Sequence, residues 1–153
     1  MIRFINILIT TWLFIATLIN PCYSQTLGDA FDISASGIVA QKIRLTIIAE
    51  NVANITTLKD EATGLPYQKQ YAVLEPSPKG VRISAVEKSN EPFGKYFDPD
   101  LPQADESGYY YHPNVDLPIE MVNLNYTELV YDANISVFKS TKTMYQQAID
   151  ILK

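Results

Sequence analysis

The sequence predicts an α+β chain, with long N- and C-terminal helices pairing as a coiled-coil-like stem and a small β-strand/loop insert between them. Three observations carry this prediction. Apolar residues recur every seven positions near both ends, the a/d pattern of helices lying side by side. Between those stretches the period drops to two over short runs. Gly, Pro and Tyr punctuate the remainder of the middle.

The chain has 153 residues, enough for one domain and too few for two full ones. Hydrophobic residues make up 47% and charged residues 19%, which argues against wholesale disorder. A formal charge of −5 argues against nucleic-acid partners, because phosphate contact needs clustered Lys and Arg. An anionic membrane surface is disfavoured for the same reason.

Residues 1–24 differ in kind from the rest. Arg3 precedes an apolar run from Ile7 to Ile19, and a turn-prone exit, Asn20-Pro21-Cys22-Tyr23-Ser24, follows. This is the layout of a secretory signal peptide cut before Gln25, with Cys22 and Ser24 at the −3 and −1 positions. The run is short for a membrane span, which needs about 20 residues. Cleavage would remove the single Cys and the single Trp, leaving a periplasmic chain held together by packing alone.

The first helix is predicted from about Asp29 to Ile55. Phe31, Ile38, Leu45 and Val52 repeat at seven, with Ile48 and Ile55 at the alternate seam positions, and Gly37 weakens the helix locally. Next, Tyr67, Tyr71 and Val73 share one strand face and Val81, Ile83 and Ala85 another, joined through the turn-prone "EPSPKG". The stretch 91–116, crowded with Pro, carboxylates and Tyr, is predicted as loop. The second helix is predicted from about Leu117 to Ile151, opened by an Asp116 N-cap and by Pro118 in its first turn. Its seam is Val130, Val137, Met144 and Ile151, with Ala133 or Asn134, Thr141 and Ala148 between. The boundaries are therefore 1–24 leader, 25–57 first stem helix, 58–115 insert and 116–153 second stem helix.

The residues offer little chemistry. His112 stands alone in a Tyr-rich stretch without Cys partners, a poor basis for zinc. Asp98, Asp100, Asp105 and Glu106 lack the spacing and the central Gly of a calcium loop. Ser34 and Ser36 have no base nearby in sequence, and no Gly-x-Ser-x-Gly elbow exists. The Asn-x-Ser/Thr tripeptides at Asn54, Asn125 and Asn134 lie inside helical patterns and are read as chance. No catalytic residue, cofactor, metal or small-molecule substrate is assigned. Each helix would leave apolar residues outside its seam, Ile43 and Ile47 on the first and Leu129 and Ile149 on the second. Such surface argues for protein–protein contact.

One stretch resembles a known family. "FDISASGIVAQKIRLTIIAENVANITT" is similar to the N-terminal signature of bacterial flagellar rod and hook proteins, whose Ala-x-Asn-x-Ala-Asn core stands here as Ala49-Glu50-Asn51-Val52-Ala53-Asn54. "YQKQYAVLEP", "GVRISAVEKS", "YFDPDLPQAD", "GYYYHPNVD" and "EMVNL" followed by "YDAN" narrow the likeness to the proximal rod subunits of that family. It covers about Ala30 to Lys153. The resemblance implies a structural subunit of the basal-body rod, a hollow drive shaft that transmits torque and lets export substrates pass. It implies partners among copies of itself and other rod proteins, proximal and distal, and at the MS-ring/rod junction. Subunit contact is then expected at Ile38, Leu45, Ile48, Asn51, Val52 and Asn54 on the first helix. On the second side it is expected at Pro113, Asn114, Val115, Glu120, Met121, Val130, Tyr131, Asn134, Val137 and Met144. Two features depart from the family: Leu129 stands where an Arg usually precedes the Tyr-x-Ala-Asn tyrosine by two, and the leader at 1–24 stands where rod proteins normally carry no secretory signal. The alternative is a secreted periplasmic adaptor or binding module with a coiled-coil stem, which an exposed groove with convergent polar groups would favour.

Asn51 and Asn54 are poor helix formers placed where Ala or Glu would be cheaper. Asn54 is expected to end the helix through a left-handed conformation. Asn51, one turn earlier, is expected to bond across to a neighbouring backbone and fix register.

Overall fold

The computed structural model describes residues 26–60 and 63–152. The signal-peptide leader assigned above lies outside them. Helix α1 spans Leu27–Ala53. It opens on a capping box: Thr26 Oγ1 accepts from the Asp29 N–H, and the Asp29 carboxylate accepts from the Thr26 N–H at 2.7 Å. Each satisfies a donor that the first turn leaves free. The Thr26 N–H, with its hydroxyl second, holds the Asp29 carboxyl below the usual carboxylate range. The helix ends at Asn54 without a left-handed residue, since Asn54 has φ −99° and ψ 11°. Its Nδ2 instead donates to the Glu50 carbonyl at 2.9 Å, satisfying the end through the side chain.

Helix α2 spans Leu117–Ile151. Asp116 Oδ1 accepts from the Ile119 N–H at 3.0 Å and Pro118 occupies the first turn, as the sequence predicts. The two helices lie against each other and run antiparallel. Phe31 meets Phe138 and Tyr145 edge-on, with ring centroids 5.2 and 6.1 Å apart. Gly37 faces Asn134, and Asn51 reaches Glu120.

The seam between them differs from the predicted one. On α1 the buried positions include Ser34, Gly37, Gln41, Ile48 and Asn51, while Ile38, Leu45 and Val52 are half-buried on the flank. Ile48 keeps its predicted seam place. On α2 the buried residues are Glu120, Thr127 and Thr141. Val137, Met144 and Ile151, predicted to be inside, are exposed, and Val130 is half-buried. Small residues explain the shift, because they let the helix backbones approach. The hydroxyls of Ser34, Thr127 and Thr141 each donate to a carbonyl of their own helix at 2.6–2.9 Å, so they enter the seam already satisfied.

Strands β1 (Gln70–Ser77) and β2 (Gly80–Lys88) form an antiparallel hairpin with Pro78-Lys79 as its turn. A bulge between Val73 and Leu74 leaves Ser84 as the extra residue on β2 and breaks the predicted face there, with Val81 and Ile83 half-buried and Ala85 exposed; on β1 Tyr71 is exposed and Val73 half-buried. The hairpin packs along α1 and covers Ile47, so this residue is buried rather than left outside. Its tip is fastened where Ser36 Oγ accepts from the Val81 N–H at 3.1 Å. Gly80 is needed there: its φ is +112°, and a Cβ would collide with Ser36 Oγ.

Residues 91–116 contain a second hairpin where loop was predicted, formed by β3 (Gly94–Phe97) and β4 (Tyr109–His112). Cross-strand aromatic pairs hold it. Phe97 meets Tyr109 at 5.1 Å, and Tyr96 meets Tyr110 at 5.8 Å and His112 at 5.9 Å. Asp105 Oδ1 accepts from the Ser107 and Tyr109 N–H groups and shapes the return of the loop.

Gly37→Ala tests the close seam. Helix propensity alone would stabilise the chain by up to ~1 kcal/mol. The added Cβ, however, would lie 2.6 Å from Asn134 Oδ1, whose amide is tethered to the Val130 carbonyl. Overpacking of about 1–3 kcal/mol should win, and urea unfolding should show a net loss. A stabilised variant would mean that the helices are not this close.

Candidate functional site

All the elements meet near the end of α1. Asn51 is 1% exposed, and its amide uses every hydrogen-bonding position it has. Nδ2 donates to the Gln70 carbonyl at 2.8 Å and to Glu120 Oε2 at 3.1 Å. Oδ1 accepts from the Tyr67 hydroxyl and from the Gln70 N–H, each at 2.9 Å. One side chain thereby ties α1 to the entry of β1 and to the first turn of α2.

Glu120 extends this node. It is also 1% exposed, and its Oε1 faces Lys69 Nζ at 2.8 Å. A carboxylate so deeply buried is stable only with a cation and donors arranged around it. Lys69 supplies the charge, and Asn51 supplies the neutral donor. The Lys69 backbone is pinned too, its N–H donating to Asn114 Oδ1 at 2.8 Å and its carbonyl accepting from the Ser89 N–H at 2.7 Å. Asn114 Nδ2 reaches on to the Glu91 carbonyl at 2.9 Å, bringing in the connection between the two hairpins. Burial raises the Tyr67 phenol above its ordinary pKa of 10.0, and the nearby Glu50 and Glu120 carboxylates add to the shift. Folding thus favours the neutral phenol. That contribution is intact below pH 10 and is lost as pH rises through the raised value.

The structure sorts the sixteen residues expected at subunit contacts into four kinds. Asn51, Asn114 and Glu120 sit inside the node, with Pro113 buried beside it and Val115 half-buried. Ile48 and Asn134 belong to the helix seam, while Ile38, Leu45, Val52, Val130 and Tyr131 are half-buried along the helices. Asn54 caps α1. Met121, Val137 and Met144 are exposed at 45%, 52% and 48%. Sequence reasoning missed Lys69 and Tyr67 as node partners, because no local pattern ties either to a residue so distant in sequence. His112 is half-buried against Tyr96.

The polar groups of the node are turned on one another, Glu120 on Lys69 and Asn51. The groove beside it, lined in part by Arg44, Gln70, Glu120 and Asn123, holds about 270 Å³. What the described residues do offer to partners is helix surface. Val122, Tyr126, Leu129, Val137 and Met144 follow one another along α2 at spacings of three, four, seven or eight, and all are at least 48% exposed. At ~100° per residue, Val122 and Leu129 lie nearly opposite the seam residues Glu120 and Thr127, and Val137 and Met144 lie about a sixth of a turn from Asn134 and Thr141.

No known family model matches the chain. Individual relatives do. It is 33% identical over 133 residues to the flagellar basal-body rod protein FlgC of Salmonella typhimurium, a match covering 83% of this chain and 98% of that one. It is 34% identical over 131 residues to FlgC of Aquifex aeolicus, covering 82% and 96%. FlgC of Borreliella burgdorferi is 30% identical over 150 residues, covering 83% and 98%. The chain belongs to the FlgC family of flagellar basal-body rod proteins. That membership supports a structural role in the rod and gives no support to a separate secreted adaptor. The node is accordingly read as architecture within an FlgC-family subunit.

The ion pair inside the node can be tested by removing one partner or both. Lys69→Met alone strands a buried carboxylate and should cost about 3–5 kcal/mol in urea unfolding. Adding Glu120→Gln to it should recover part of that loss, because the orphaned charge disappears. Equal stability of the single and double variants would show that Glu120 does not depend on Lys69.

Proposed function

We propose that the chain is built into the proximal part of the flagellar rod by its two terminal helices, with the exposed apolar face of α2 packing against neighbouring subunits. Segments 25–57 and 116–153 act as the stem, paired in a coiled-coil-like manner in the assembled rod, and 58–115 forms the insert that braces it. Copies of itself, other proximal and distal rod proteins and the MS-ring/rod junction are the partners. The assembled stem lines a hollow periplasmic shaft that transmits torque and lets export substrates pass. The contact residues are Met121, Val137 and Met144 on the open face, with Ile38, Leu45, Val52, Val130 and Tyr131 along the helices. Ile48, Asn51, Asn54, Pro113, Asn114, Val115, Glu120 and Asn134 hold those surfaces in register.

The observation that carries this reading is the run of large apolar side chains on α2 that none of the described residues covers. Val122 and Leu129 are each 68% exposed, and Val137 is 52% exposed. In a monomer that surface meets water, and contiguous exposed apolar surface of this kind marks an interface. Leu129, standing at the family's usual Arg position, adds to it.

Val137→Asp separates assembly from folding. At a half-exposed position the carboxylate stays hydrated in the free subunit, so the isolated variant should unfold within ~0.5 kcal/mol of wild type. Buried against a neighbour, the same group would be stranded at a cost of several kcal/mol. The strain should be non-motile, its basal bodies lacking the complete rod, at wild-type expression and export. His112→Ala should leave motility unchanged. A motile Val137→Asp strain would remove this face from the interface.

A further inference from the structure

The second hairpin turns one face of its strands outward, carrying Lys95, Phe97, Tyr109 and Tyr111. Phe97 is 63% exposed, Tyr111 46% and Tyr109 37%, which is unusual for rings with so much apolar area. The face already receives a cation: Lys95 Nζ sits 4.2 Å from the Tyr109 ring centroid and 5.9 Å from that of Tyr111. Its loop adds Asp98, Asp100, Asp105 and Glu106, and no Lys or Arg occurs from Tyr96 through Asp116. Apart from Lys95 itself, the surface is therefore aromatic on its strands and anionic in its loop, a combination that attracts ammonium groups.

The complementary surface lies on α2. Lys139 and Lys142 are one turn apart, both exposed, and neither makes an ion pair among the described residues. They cannot reach the hairpin of their own chain. Tyr111 shares a groove with Leu58, Leu65 and Pro66 in the loop after α1, so the hairpin sits at the C-terminal end of that helix. The lysines flank Phe138 and Tyr145's partner Phe31, at the opposite end. From Leu117 to Lys139 alone the helix rises roughly 33 Å at ~1.5 Å per residue. Two complementary patches at opposite ends of one molecule can meet only between copies, and a head-to-tail contact of this type propagates instead of closing into a two-fold dimer.

We propose that the aromatic–acidic hairpin of one copy docks on Lys139 and Lys142 of a second copy. This inference rests on the rod reading above and adds to it a specific contact, distinct from the apolar face of α2. The test is sedimentation velocity of the purified full chain at low and high salt. Asp100→Lys with Glu106→Lys uses carboxylates that make no hydrogen bond within the hairpin, so its turn is left intact. That pair should weaken self-association by at least ~10-fold at low salt, and so should Lys139→Glu with Lys142→Glu. All four changes in one chain should restore it to within about threefold. Phe97→Ala, which removes a ring and no charge, should weaken it as well.

Failure of the fourfold variant to recover would overturn the pairing. So would an association of the wild-type chain that is insensitive to both reversals, or no association at all. Binding of the wild-type chain to purified cell-wall glycan that Phe97→Ala abolishes, with no self-association, would assign the aromatic face to sugar and likewise overturn the proposal. If these results go against the contact while the chain is still recovered in isolated basal bodies, the rod reading stands and this contact falls.

Discussion

The fold depends on a buried amide. Two helices of 27 and 35 residues and two small hairpins share very little apolar core; Ala40, Ile47, Ile48 and Tyr67 are the buried hydrophobic side chains among the described residues. Packing so thin leaves the relative positions of the elements weakly determined, because hydrophobic contact is non-directional. Asn51 supplies the direction. It uses two donors and two acceptors on three separate segments, and any slip of α1 against β1 or α2 would leave at least one of those groups unsatisfied inside the protein. The Glu120–Lys69 pair raises the cost of such a slip by adding a charge that cannot be left alone.

This economy follows from what the helices have to do. A chain that buried its large apolar residues internally would be a stable monomer with nothing to offer a neighbour. Here the seam is made from Ser34, Gly37, Thr127, Asn134 and Thr141, which are small or locally satisfied, and the larger residues remain outside. None of the described helices is long and apolar enough to cross a membrane. Within an FlgC-family subunit the arrangement is consistent with a division of labour, the polar node setting the geometry and the exposed helix face providing the affinity.

Much of the architecture was legible in the sequence, and the losses have physical causes. Both helices, their capping residues Asp116 and Asn54, and the first hairpin follow from local chemistry: heptad spacing, a side-chain acceptor before a proline, and period-two alternation. The seam did not follow, because the heptad rule assumes that the most apolar stripe faces inward. In α2 that stripe faces outward, and Thr127 and Thr141 lie inside. The second hairpin was missed because its strands are four residues long and flanked by Pro and Asp, so their alternation is too brief to stand out. The role of Asn51 was half readable. Its poor helix propensity marked it as a register device bonding to neighbouring backbone, yet Tyr67, Lys69 and Glu120 are partners that only the folded chain brings together.

Native-state hydrogen exchange addresses the node most directly. The Gln70 N–H is held by Asn51 Oδ1 and the Lys69 N–H by Asn114 Oδ1, so neither amide owes its bond to a helix or to the strand ladder. If the node organises the fold, both amides should exchange as slowly as those in the centre of α1, through global unfolding alone. Exchange at the rate of the exposed loop amides, with the centre of α1 still protected, would show that the helices hold together without it and would contradict the account.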